Sequence, residues 1–115
     1  MTKWIDFHTH ILDESPQALS HAVAQSKELR VEKWLVNSVD WDNWLSHKKK
    51  AEKIPPAIVG LGWHPEQVIQ VTQKEMEPSL QKYASAIPSA LFLGETGLDY
   101  LYGKTEKERA MQQHV

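Results

Sequence analysis

Residues 4–10 read Trp4-Ile5-Asp6-Phe7-His8-Thr9-His10, an apolar opening that ends in two histidines one residue apart. Side chains in a β-strand alternate between faces, so residues i and i+2 point the same way. A strand over Lys3 to His10 therefore presents both imidazoles on one face, about 7 Å apart along the backbone before the side chains converge. Imidazole suits zinc, iron, nickel or copper and tolerates manganese in mixed nitrogen/oxygen sites. Two ligands leave a coordination sphere open, so carboxylates or further histidines must come from elsewhere in the chain.

Outward from that strand, apolar runs alternate with helical stripes. Ser15-Pro16 supplies an N-cap and a proline at the first helical position, and Leu19, Ala22, Val23 and Leu29 follow as a buried stripe. A second strand is expected over Lys33 to Val39. Asp40 then caps a helix that buries Trp41, Trp44, Leu45 and Ala51 and ends before Pro55-Pro56. Ala57 to Trp63 reads as a third strand. Thr72 to Glu75 has capping-box spacing, and Met76, Leu80, Tyr83, Ala84 and Ile87 mark the helix face behind it. Ala90 to Gly94 is the expected fourth strand, and Thr105 to Glu108 repeats the capping box before a last helix. This alternation predicts βαβ crossovers and a parallel sheet. A (β/α)8 barrel needs eight strands and roughly 250 residues. The expected fold is therefore α/β, a partial TIM barrel of about four βα units. Residues 1–115 would form its N-terminal part, truncated in a helix that reaches Val115 without a stop signal.

Composition narrows the class. The 115 residues carry a formal net charge of −2, which makes no electrostatic case for a broad nucleic-acid surface. The chain has no cysteine, which excludes disulfides, thiolate zinc sites and a cysteine nucleophile. Its amino terminus lacks the pattern of a signal peptide and no apolar run reaches membrane-span length, so a soluble cytoplasmic protein is expected.

Each chemically interesting cluster follows a predicted strand, where ligands bind in parallel α/β folds. His8 and His10 close the first strand, Trp63-His64-Pro65 the third, and Gly94-Glu95-Thr96-Gly97-Leu98-Asp99-Tyr100 the fourth. Glu95 shares strand parity with Leu91 and Leu93, which predicts that it points into the barrel. A carboxylate there is costly unless a cation compensates it, so Glu95 joins His8 and His10 as a candidate metal ligand. The competing reading is a salt-bridged rim residue. His64, held extended by Pro65, is a candidate substrate-facing residue, or else packs beside Trp63. Asp6 could orient a ligand imidazole or pair with a basic or backbone group. Asp99 could do the same or cap its own loop. His21, His47 and His114 fall in outer helices and are expected on the surface, as is Lys48-Lys49-Lys50. Of the tryptophans, Trp63 alone is placed near the site.

The three clusters together resemble the TatD family of metal-dependent deoxyribonucleases, within the amidohydrolase-like TIM barrels. Asp6 to His10 is similar to that family's amino-terminal histidine motif, and Gly62-Trp63-His64-Pro65 to its glycine-x-histidine-proline segment. Leu93 to Tyr100 is similar to its glutamate signature, with Thr96 where isoleucine is usual, and Gln112 stands where a glutamine is common. The resemblance spans this whole chain but only about the first half of a typical member. It implies that His8 and His10 ligate a first metal, that Glu95 bridges two divalent ions (Mg, Mn or Zn), and that His64 lies near the scissile phosphate. It also implies two more histidines and an aspartate from later strands, with no counterpart here. After His10 the chain has Ile11-Leu12-Asp13, one residue more than usual before the aspartate, so no role is carried onto Asp13.

The implied reaction is hydrolysis of a nucleic-acid phosphodiester, with DNA as substrate. A binuclear site activates water, polarises a phosphoryl oxygen and clamps the leaving oxygen. The alternatives are a metal-dependent hydrolase of another ester, lactone or amide, and a non-catalytic fragment. Without the second half of the barrel, open strand edges are expected to favour self-association and catalysis to be very weak. No membrane partner is expected.

Overall fold

In the computed structural model, residues 2–115 are described, and four parallel strands form a single sheet in sequence order. The strands are β1 (Trp4–Thr9), β2 (Val31–Asn37), β3 (Ala57–Trp63) and β4 (Leu93–Thr96). Helices α1 (Pro16–Leu29), α2 (Trp41–Ala51), a short α3 (Pro65–Val68), α4 (Gln73–Ala86) and α5 (Glu106–His114) complete the βα alternation of a partial barrel. No helix among the described residues is long and apolar enough to cross a membrane.

Local chemistry accounts for the helix boundaries. The Ser15 hydroxyl accepts from the Ala18 N–H at 3.2 Å, and Asp40 accepts from the Asn43 N–H at 2.8 Å. Arg30 ends α1 in the left-handed conformation, with φ of 60°. Capping boxes open α4 and α5, and their hydrogen bonds to Thr72 and Thr105 hold the Glu75 and Glu108 carboxyls below the ordinary range. The sequence pattern predicts no helix at α3, yet Pro65 at its first position and the His64 ring at its N-cap close one turn there.

The largest buried cluster lies between sheet and helices and contains Leu12, Trp34, Val36, Trp44, Val59, Leu61 and Ala86. A second cluster, Trp63, Val68 and Met76, continues it under α4. Trp34 and Val36 share one parity of β2, and Val59, Leu61 and Trp63 one parity of β3, as period-two strands require. β1 is an edge strand, and Trp4, Ile5 and Phe7 on it are exposed.

Three sequence expectations are corrected here. β2 starts and ends two residues earlier than Lys33 to Val39. The β4 pairing falls on Leu93–Thr96 rather than Ala90–Gly94, because a 3-10 turn over Ile87–Ser89 delays the chain, with the Ala90 N–H donating to the Ile87 carbonyl at 3.0 Å. Leu29, Leu45, Ala84 and Ile87 are exposed, so the helical stripes are narrower than expected.

Leu12, in the turn just beyond His10, is fully buried and its carbonyl accepts from Lys50 Nζ. Leu12→Ala removes its contacts with the main cluster and should lower the unfolding free energy by about 2–5 kcal/mol. Urea denaturation with an unchanged slope is the measurement.

Candidate metal centre

The sheet delivers three side chains to one point beyond its carboxyl edge. His8 and His10 come from the same parity at the end of β1, and Glu95 from β4. The Nε2 atoms of His8 and His10 lie 3.2 Å apart. Glu95 Oε2 lies 3.5 Å from the first and 3.4 Å from the second. Among the described residues this trio is the group of donors compact enough to hold one metal ion.

The donor set fits a cation. Ligand bonds of about 2.0–2.2 Å in tetrahedral geometry place neighbouring donor atoms roughly 3.3–3.6 Å apart, and the three observed separations fall at or just below that range. The rings are also prepared for it. Asn37 contributes a carbonyl, which only accepts, 3.1 Å from His10 Nδ1. In the neutral ring the His10 proton therefore resides on Nδ1 and the Nε2 lone pair faces the trio, the arrangement by which outer partners fix a ligand imidazole. Two nitrogen donors and one carboxylate oxygen suit zinc or manganese more readily than an all-oxygen magnesium shell.

His64 is built the opposite way. Its Nδ1 accepts from the Glu66 N–H at 3.2 Å, so in the neutral ring the proton sits on Nε2. That N–H lies 3.5 Å from Glu95 Oε1, the carboxylate oxygen turned away from His8 and His10. The ring packs edge-on to Tyr102 at 5.6 Å, not beside Trp63. Trp63 is buried instead in the outer cluster, stacked on Tyr83 at 4.9 Å, so its expected place near the site is corrected.

Glu95 reaches the trio by a different route from the one its parity predicts. Leu93 lines a cavity with Leu61, Trp63, Leu80 and Tyr83 on the α4 side, while Glu95 faces the histidines. The β3–β4 register slips between the pairs Leu61↔Leu93 and Trp63↔Thr96, so that two residues of β3 match three of β4. Such a bulge re-aims a side chain, and here it turns Glu95 over. Gly94 carries the distortion, with φ of +155°.

Two carboxylates resolve to the plainer of their readings. Asp6 Oδ1 accepts from the His8 backbone N–H at 3.1 Å. Asp99 Oδ1 accepts from the Leu101 N–H at 2.9 Å and caps its loop. Gln112, nearly fully buried, holds the Asp99 main chain from both sides, accepting from its N–H and donating to its carbonyl at 2.9 Å each. His21 and His114 are exposed as expected. His47 is not: it is fully buried, against Asp13 and Ser38. Its spacing, three residues after Trp44 and four before Ala51, places it on the buried face of α2; its polar side chain alone argued for the surface.

A profile of the family described as TatD related DNase matches residues 5–115. The chain belongs to that family. A metal-dependent hydrolase of Bacillus subtilis (strain 168), YabD, itself uncharacterised, is 27% identical over 104 residues, which are 90% of this chain and 40% of the relative. The crystal structure of YJJV, a TatD homologue from Escherichia coli K12, superposes with a TM-score of 0.66 at 23% identity, over 96% of this chain and 45% of that one. The chain thus spans less than half the length of each of these two proteins, and the likeness to YJJV shows a shared fold.

Gly62 sets how closely the end of β2 approaches the Glu95 backbone of β4. A Cβ there would collide with the Ser38 carbonyl oxygen and the Glu95 nitrogen, both backbone atoms that cannot swing aside. Gly62→Ala should therefore lower stability by about 1–3 kcal/mol. A crystal structure of the variant should show Glu95 withdrawn from His10.

Proposed function

We propose that His8, His10 and Glu95 hold a divalent cation, and that the TatD-family protein built on this chain hydrolyses phosphodiester bonds of DNA. The observation that carries the metal reading is the triangle of donor atoms, 3.2 to 3.5 Å on each side, with the Asn37 carbonyl against His10 Nδ1. Family membership supports the hydrolytic class, and the phosphodiester substrate follows from the motif resemblance.

The residues divide the work. His8 and His10 contribute neutral nitrogen donors from a rigid strand. Glu95 would contribute negative charge, which a pair of histidines lacks, while its second oxygen faces His64. Divalent cations at such a site polarise a phosphoryl oxygen and bring the ionisation of water toward neutral pH. His64 presents an N–H donor on the far side of Glu95, suited to a non-bridging oxygen of a phosphate and unsuited to a cation. Recognition by charge and phosphate geometry, rather than by base edges, fits this set.

Such turnover requires a complete barrel of this family. The further histidines and aspartate implied by the resemblance have no match in residues 1–115, so this segment alone is expected to bind a cation with little turnover. In the complete protein, cation-dependent release of nucleotides from an oligodeoxynucleotide should disappear with chelator. Loss of an outer partner of a ligand already costs roughly 10–100-fold in affinity or activity, so Glu95→Gln and His8→Ala should each cost at least as much. Hydrolysis of small neutral esters without attack on DNA would replace the phosphodiester reading with the ester one.

A further inference from the structure

His47 projects from α2 into the core and is fully buried, as is Ser38 just beyond β2. Its Nε2 lies 2.7 Å from Asp13 Oδ1 and its Nδ1 lies 3.1 Å from Ser38 Oγ. A carboxylate only accepts, so Nε2 carries a proton toward Asp13, and the Ser38 hydroxyl occupies the other side of the ring. Asn43, one turn earlier on α2, braces the same group: its Nδ2 donates to Asp13 Oδ1 at 2.9 Å and its Oδ1 accepts from the Val39 N–H at 3.1 Å.

One end of this chain of contacts follows the ligands of β1, and the other abuts the backbone of β4. Asp13 sits three residues after His10, in the 3-10 turn that leaves β1. Ser38 grips β4 through its main chain. Its N–H donates to the Gly94 carbonyl at 3.3 Å, and its carbonyl accepts from the Glu95 N–H at 3.1 Å. The preceding residue, Asn37, directs its carbonyl to His10. Consecutive carbonyls at the end of β2 therefore hold a ring on one side and the Glu95 backbone on the other. His47 fixes that dipeptide relative to the turn that follows His10. An apolar side chain would fill the space between helix and sheet without the desolvation cost of a buried imidazole. The polar ring instead joins the segments that carry the ligands.

We infer that the Asp13–His47–Ser38 contacts form a clamp that sets Glu95 against His8 and His10, which makes His47 a positioning residue of the metal centre. The inference rests on the reading of His8, His10 and Glu95 as ligands.

Titration of the chain with Co2+, followed by visible absorption and calorimetry, tests both. Circular dichroism and melting in chelator report separately on the fold. The wild type should bind Co2+, and His8→Ala should abolish binding. His47→Ala should bind about tenfold more weakly with an altered visible spectrum, since the ligands meet the ion in a changed arrangement. Ser38→Ala, which removes one hydroxyl, should shift the spectrum in the same sense by less, and His47→Gln, which keeps a donor toward Asp13, should recover part of the affinity. Folded His47→Ala and Ser38→Ala proteins with wild-type affinity and spectrum would overturn the clamp while leaving the ligands in place. Should His47→Ala fail to fold, the Ser38→Ala spectrum decides alone. Wild-type binding that survives His8→Ala, or no binding at all, would instead remove the ligand reading and the clamp with it.

Discussion

Two main-chain hydrogen bonds between Ser38 and the Gly94–Glu95 pair hold the structure's functional edge together. They link the end of β2 to β4 across β3, which separates them in the sheet. That reach is possible because β3 offers Gly62 at the crossing, where any side chain would strike both backbones. The Glu95 carboxylate is thus placed by its backbone, and the register slip between β3 and β4 then aims it. If those two bonds fail, the histidines on β1 face an empty corner.

The centre separates two kinds of histidine by which ring nitrogen the protein engages. At His10 a carbonyl takes the Nδ1 side, which in the neutral ring leaves an electron pair at Nε2. At His64 a backbone N–H takes the Nδ1 side, which leaves a proton at Nε2. Ring atoms of the same type thereby become an electron-pair donor in one place and a hydrogen-bond donor a few ångströms away. The difference is set by secondary structure: His10 follows a strand beside a neighbouring strand's carbonyl, whereas His64 caps a helix whose first amides are unpaired.

What the sequence made legible was local. The alternation of strands and helices, the Ser15, Asp40, Thr72 and Thr105 caps and the shared face of His8 and His10 all depend on residues within one turn or one strand of each other. Glu95 is the instructive intermediate case. Its inward orientation is found, but parity with Leu93 is not the reason, because a bulge invisible to period-two reasoning intervenes. His47 shows a different limit. Its spacing from Trp44 and Ala51 puts it on the buried face of α2, but a polar side chain there gives no sign of its partners until the helix docks against the turn at Asp13. Ile11 and Leu12 lie in the turn that brings Asp13 to α2.

The donors of the candidate centre come from the first and last strands of the sheet, while β2 and β3 lie between them. An ion gripping all three would bind the native arrangement of every strand at once and have no comparable site in the unfolded chain. Ligation and folding would then be thermodynamically linked. A free concentration 100-fold above the dissociation constant would add about 2.7 kcal/mol to unfolding. For an α/β segment whose first strand leaves Trp4, Ile5 and Phe7 exposed, that increment is a substantial share of the roughly 5–15 kcal/mol by which folded domains persist. The same cation would then serve as reagent and as rivet.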